Sequence, residues 1–200
     1  MNNERNVIKS KCDEIGMVFR AIFWFMVLYV MGNMIYCIWI FTRPGSHFMV
    51  ETVSFADSII ALAGVKDGVT IRFGEGILSQ AAVNHPKLVY MTGIIANIFC
   101  LLVMLYLLWN VRNIFRNIDK EETPFSKGNS KALFQVGIAF LIHSFIKKCI
   151  LPAVCFVMGV GGGTIRVIDM YSLLIGGLVI CLSYIFAYGA RLQEESDELL

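Results

Sequence analysis

Val111-Arg-Asn-Ile-Phe-Arg-Asn-Ile-Asp-Lys-Glu-Glu-Thr-Pro-Phe-Ser-Lys-Gly-Asn-Ser-Lys131 is the one long charged segment lying between two hydrophobic runs. Arg112, Arg116 and Lys120 recur every four residues, so a helix carries them as one basic stripe. Thr123-Pro124 ends that helix, because proline lacks an N–H and restricts the residue before it. Ser126 or Asn129 is placed to cap the next helix by accepting from its free backbone donors. The stretch reads as an elbow between two helices at a membrane surface. A basic stripe beside anionic headgroups is favourable by roughly 1 kcal/mol per charge.

The runs on either side decide the class. The 200 residues are 57% hydrophobic and 16% charged, with a mean hydropathy of +0.68, outside the range of ordinary soluble domains. The apolar residues are gathered into blocks rather than amphipathic stripes. Ala21 to Phe41 has Asn33 as its only strongly polar side chain, Leu88 to Val111 is broken only by Thr92, Asn97 and Asn110, and Tyr171 to Ala190 holds no charge. About 20 helical residues at roughly 1.5 Å each cross a ~30 Å hydrocarbon core, and all three blocks meet that length. The expected fold is an all-α membrane protein, a four-transmembrane-helix bundle forming a single domain over 1–200. Its spans are at about 20–42, 88–111, 132–158 and 171–190, with an outer loop at 43–87, the elbow at 112–131 and a tail at 191–200.

The third span is the longest and carries Pro152. One reading runs it from about Ala132 to Met158, bent or loosened near Pro152. The other ends it at Lys148 and places Cys149–Val160 in an interfacial or re-entrant segment.

Basic residues orient the spans. Arg5, Lys9, Lys11 and Arg20, the five basic residues from Arg112 to Lys131, and Arg191 fall on one side; Arg43, Lys66, Arg72, Lys87 and Arg166 fall on the other. Ten against five predicts that both termini are cytoplasmic. The first block exceeds a usual signal h-region and lacks a small-x-small cleavage site, so it is expected to stay as an anchor. None of the six cysteines (12, 37, 100, 149, 155, 181) lies in the outer loop or has metal-knuckle spacing, so they read as small hydrophobes. Within the outer loop, the apolar spacing of Met49 to Gly64 predicts a short surface helix. Val69 to Phe73 predicts a strand, and Ile77 to Val83 a further helical turn. His47 and His85 have no ligand pattern, and no metal or cofactor is expected.

Counted from the cytoplasmic boundary, Asn33, Asn97 and His143 come at similar depth, roughly 18 to 23 Å into the bilayer. A polar side chain facing lipid is costly, so the three are expected to face the bundle interior as a polar layer. That layer is inter-helix glue or a site for a proton, an ion or a small ligand. Lys147 lies one turn beyond His143, close enough to the outer interface to snorkel. Gly176, Gly177 and Ser172 give the fourth span a small surface for close packing.

No metalloprotease, phosphate-loop or nucleophile-elbow motif is present. The carboxylates cluster at Asp119–Glu122 and Glu194–Glu198, in water, where no opposed or desolvated pair tunes acid–base chemistry. Catalysis is not expected. The acidic tail, with Glu194, Glu195 and Asp197, opposes its own helix dipole, a cost that falls if it meets the basic stripe or a basic partner.

The elbow Ile114-Phe-Arg-Asn-Ile-Asp-Lys-Glu-Glu-Thr-Pro-Phe-Ser126, with Asn129, resembles the loop of the bacterial domain-of-unknown-function 2975 membrane proteins. The end Phe186-Ala-Tyr-Gly-Ala-Arg-Leu-Gln-Glu-Glu-Ser-Asp-Glu-Leu-Leu200 resembles their C-terminal signature, although many members close on Asp-Leu-Thr-Val or similar. The likeness covers most of the chain outside the outer loop and implies no catalytic residues. It implies a bacterial cell (inner) membrane protein whose genes often neighbour small helix-turn-helix regulators.

The leading expectation is therefore a regulatory or interaction protein that acts through Arg112, Arg116, Lys120, Glu194, Glu195 and Asp197. Its partners would be the bilayer with its anionic headgroups, a helix-turn-helix regulator or other cytosolic protein, and further copies of the chain. Direct nucleic-acid binding is not expected. The alternative is a small transport or immunity-type protein using Asn33, Asn97, His143 and Lys147 as a polar site between helices.

Overall fold

The computed structural model describes residues 2–55, 58–66, 68–74, 77–121, 123–161 and 170–198. Side chains are described throughout these except at 2–9, 53–55, 58–60, 119–121, 147 and 197. In chain order they form α1 (Asn2–Phe41), β1 (Phe48–Phe55), β2 (Ser58–Val65), β3 (Thr70–Phe73), α2 (Pro86–Glu121), α3 (Lys127–Phe145), α4 (Leu151–Val157) and α5 (Met170–Asp197). Short 3-10 turns at Gly45–His47 and Gln80–Asn84 flank the sheet.

Four helical stretches are long and apolar enough to cross a membrane: Ser10–Phe41, Pro86–Ile118, Lys127–Val157 and Met170–Ser196. Their exposed surface is itself apolar. On α1 alone Trp24, Phe25, Leu28, Met31, Ile35 and Ile38 are exposed. A contiguous surface of that kind is stable only against hydrocarbon. The chain is an all-α, four-helix, multi-pass membrane protein carrying a small sheet in one inter-span segment.

The third span is continuous. A π turn at Ile146–Ile150 joins α3 to α4, with the Leu151 N–H donating to the Ile146 carbonyl. Pro152 has no N–H to offer the Lys148 carbonyl four residues back, and the ladder absorbs the loss by slipping one residue into π geometry. The single-span reading loosened near Pro152 holds. The reading that ends the span at Lys148 does not.

The sequence-based helix at Met49 to Gly64 is instead a β-hairpin. β1 pairs antiparallel with β2, Phe48 opposite Val65 through Phe55 opposite Ser58. β2 pairs with β3, Ala61 opposite Phe73 through Gly64 opposite Thr70. The apolar positions 49, 53, 56, 60 and 63 fit a helical period. The same stretch is rich in β-branched residues (Val50, Thr52, Val53, Ile59, Ile60, Val65), which favour a pleated surface. Cross-strand pairing then places Phe48, Val50, Ala61, Ala63, Val65, Ile71 and Phe73 on one face. The strand expected at Val69 to Phe73 is β3, and the expected helical turn falls at Gln80–Asn84, somewhat later than Ile77 to Val83.

Contacts divide the chain into two compact units. One comprises Met1–Tyr29, Leu102–His143 and Met170–Leu200, the other Val30–Leu101 and Ser144–Asp169. In the first, Leu107, Val136 and Ala139 form the core with Val103, Phe140 and Val179 packed against it, joining α2, α3 and α5. Phe19 stacks on Phe115 at 5.4 Å and Phe23 meets Trp109 at 5.6 Å, joining α1 to α2. In the second unit, the sheet face packs on Val89, Tyr90 and Ile94 of α2, with Ile40, Cys155 and Val160 completing the core. Tyr90 is fully buried and donates to the Val69 carbonyl at 3.0 Å, which leaves Tyr36 to donate to the Tyr90 oxygen, also at 3.0 Å. The Lys87 ammonium closes the end of α1 by donating to the carbonyls of Phe41 and Arg43, a favourable place for a cation.

Candidate functional site: the elbow and the tail

The elbow is built as its residues dictate. The Asn129 N–H donates to Ser126 Oγ at 3.2 Å, so Ser126 caps α3, as one of the two residues placed to do so. Asn129 is fully buried and donates its amide to the Pro124 carbonyl at 3.1 Å, pinning the proline turn to the first turn of α3. Phe125 packs on Phe186 of α5 at 5.2 Å. Gly189 makes room for it, because a Cβ there would stand 2.6 Å from the Phe125 ring.

The tail lies against this elbow. Thr123 Oγ1 donates to Gln193 Oε1 at 2.7 Å, and Lys127 Nζ lies 2.8 Å from Glu194 Oε1. Below them Ser130 Oγ donates to the Ser183 carbonyl at 2.9 Å. Gly137 and Gly176 bring α3 and α5 together, a Cβ at Gly137 falling 2.8 Å from the Gly176 carbonyl oxygen. Of the small residues expected to make this surface, Gly176 is in the contact, whereas Gly177 has open space around it.

The tail's printed partner is therefore not the basic stripe. Glu194 meets Lys127, beyond the proline, because α5 runs beside α3. The stripe turns toward α1: the Arg112 guanidinium lies over Phe23 at 5.2 Å and over Trp109 at 5.5 Å. Arg112 and Arg116 share with Arg20 a cleft of about 430 Å³, also lined by Asp13, Gly16 and Phe115. Arg20 served in the sequence only as a topological marker. Its helical reach into this cleft depends on α1 packing along α2, which no local motif announces. A second cleft, about 550 Å³, is lined by Lys127, Lys131, Arg191 and Glu194 among others. Arg116 is exposed, as are Glu194 and Glu195. The side chains of Lys120 and Asp197 lie outside the described residues.

The intramembrane polar residues part company. Asn33 and His143 are half-buried and each is engaged in an interaction. Asn97 does not face inward: it is exposed and lines a cleft with Arg72 and Lys148. The reason is local. Gly93, Asn97 and Cys100 share one face of α2, and that face is turned to β3, with Gly93 so close that a Cβ would stand 2.8 Å from the Phe73 ring. The side chain of Lys147 lies outside the described residues; its neighbour Lys148, unremarked in the sequence, lines the cleft. Thr92 and Asn110 are satisfied within α2, donating to the Leu88 and Tyr106 carbonyls at 2.9 Å each. All six cysteines are free. Among the described residues no group of three or more His, Cys, Asp or Glu side chains is placed to hold a metal.

Four spanning helices, a capped proline elbow and an acidic end laid against it define a class of small polytopic membrane protein. The chain belongs to the family described as protein of unknown function (DUF2975), whose model matches residues 77–199. The match takes in the last three spans, the elbow and the tail, the parts that carry the two motifs read from the sequence. Neither the curated proteins nor the solved structures contain a match.

Proposed function

We propose that this is a bacterial inner-membrane protein with both termini cytoplasmic, which works by binding rather than catalysis. On this reading the elbow and the acidic tail act together as one cytosolic surface, used to engage a cytosolic protein and anionic headgroups. The observation that carries it is the Lys127–Glu194 and Thr123–Gln193 pairing, which makes two sequence motifs into a single structural element. The excess of basic residues on the same side supports the orientation. The convergence of Arg20, Arg112 and Arg116 on one cleft supports contact with anionic groups, since guanidinium forks match phosphate geometry.

The test is a photo-crosslinking scan from the full-length protein in its native membrane, with the reactive residue placed at Arg116 or Glu195. A discrete crosslinked protein at both positions, lost in an Arg112→Glu/Arg116→Glu variant that still inserts, is the expected result. Crosslinking unaltered by that charge reversal, or no product at either position, would reject the reading. The surface would then be only a solvated end of the helices.

A further inference from the structure

A cleft in the unit formed by Val30–Leu101 and Ser144–Asp169 is built differently from the elbow. Its volume is about 320 Å³, at the small end of the range of ligand pockets, roughly 300–1,000 Å³. β3 supplies Arg72, α2 supplies Asn97, and the π turn supplies Lys148. The remaining wall is largely apolar, with Ile71, Phe73, Ile77, Ile146 and Leu151 among its residues. Two cations and an amide donor in an apolar groove form an arrangement for an anion with a hydrocarbon body.

The depth of Lys148 sharpens this. It stands nine residues before the end of α4 at Val157, roughly 14 Å along the helix axis. A cation at that position in a spanning helix is costly unless a counter-charge or polar groups reach it. Among the described lining residues there is no carboxylate. Glu51 shares the Arg72 face of the sheet but lies two strands away, through Leu62, about 9.6 Å at the usual strand spacing. Glu75 follows the lining residue Gly74 in sequence and lies outside the described residues. The site is also held by backbone features that serve no other evident purpose. Gly93 admits β3 against α2, and Pro152 sets the π turn on which Lys148 sits. π turns inside helices recur at functional positions.

We propose that this cleft binds one anionic phospholipid from the bilayer, its phosphate held by Arg72 and Lys148 with Asn97 donating, and an acyl chain lying along the apolar wall. The site is independent of the elbow and tail, and its failure would leave that reading untouched.

The experiment is native mass spectrometry of the full-length protein in a neutral maltoside detergent, titrated with dioleoyl phosphatidylglycerol or with dioleoyl phosphatidylcholine. One phosphatidylglycerol per chain is expected to stay bound where phosphatidylcholine does not. Arg72→Gln/Lys148→Gln should weaken that binding by about tenfold or more, since two charge-assisted hydrogen bonds are lost. Arg72→Lys/Lys148→Arg should retain most of it. Asn97→Leu, a change that keeps an apolar helix face, should weaken it less. Equal retention of the two lipids, or a charge-neutral double variant that binds phosphatidylglycerol as the native chain does, overturns the proposal. Occupancy by inorganic phosphate at the affinity of the lipid overturns the choice of occupant. Glu75→Gln gives a further decision. If the native chain holds no lipid and this variant gains it, the chain's own carboxylate neutralises the cleft and the proposal is wrong; binding by both supports it.

Discussion

The Lys127 ammonium and the Glu194 carboxylate, 2.8 Å apart, join the first residue of α3 to the last turn of α5, and each is on the unfavourable end of its own helix. A cation at a helix N-terminus and an anion at a C-terminus both oppose the macrodipole. Because the two ends lie side by side, the pair offsets a penalty that each residue incurs alone.

That geometry yields an asymmetric prediction. The side chains are 75% and 55% exposed, so the pair itself contributes no more than about 1 kcal/mol. Lys127→Glu alone places two carboxylates together and should lower the unfolding temperature slightly. The exchanged pair, Lys127→Glu with Glu194→Lys, restores the contact and also satisfies both dipoles, each worth about 0.3–1 kcal/mol. It should unfold at a higher temperature than the native protein in detergent, with the gain shrinking as salt is raised. An exchanged pair less stable than the native one would show that the dipoles do not matter here.

Two glycines of similar appearance should behave oppositely. Gly137→Ala drives a methyl to 2.6 Å from an Ile180 side-chain carbon and 2.8 Å from the Gly176 carbonyl oxygen, so α3 and α5 must separate, at a cost of about 1–3 kcal/mol. Gly177→Ala meets nothing and should be neutral or slightly stabilising, by up to about 1 kcal/mol from helix propensity. Thermal unfolding of both variants decides it.

Ser126→Ala removes the acceptor for the Asn129 N–H and should destabilise the start of α3 by about 1 kcal/mol. Ser126→Asp should retain the cap. Hydrogen exchange at residues 127–130 reports the change directly, quickening in the alanine variant only.

Tyr90→Phe strips the buried Val69 carbonyl of a donor and Tyr36 of its acceptor. The cost should be about 1–3 kcal/mol, the range for orphaned buried groups. Tyr36→Phe leaves the Tyr90–Val69 bond in place and should cost less. Comparable losses for the two would mean that the Tyr36 hydroxyl does more than donate to Tyr90.

The spans were legible because each is a long uncharged block, and length against bilayer thickness is a one-parameter test. The elbow was legible because proline, a serine cap and four-residue charge spacing are local signals. The hairpin was not, because Met49 to Gly64 satisfies helical spacing and strand composition at once. What selects the strand is cross-strand pairing to residues such as Ile71 and Phe73, which are distant in sequence. Asn97 was misplaced for a related reason. Depth along α2 can be counted from the sequence, but the direction in which a residue points depends on what packs beside it, here β3 against Gly93. Arg20 and Lys148 share that limit, since a cleft is a property of neighbours rather than of residues.

The π turn at Ile146–Ile150 also bears on how this span can vary in length. In a regular helix, losing one residue rotates everything beyond it by about 100°, swapping lipid-facing for partner-facing side chains. A π turn already holds one residue more than the regular ladder requires. Deletion within 146–150 can return that surplus and leave α4 with its original facing, whereas the same deletion within Lys127–Phe145 would misphase the rest of the span. The third span thus has one place, and a defined one, where insertions and deletions are tolerated without rebuilding its contacts.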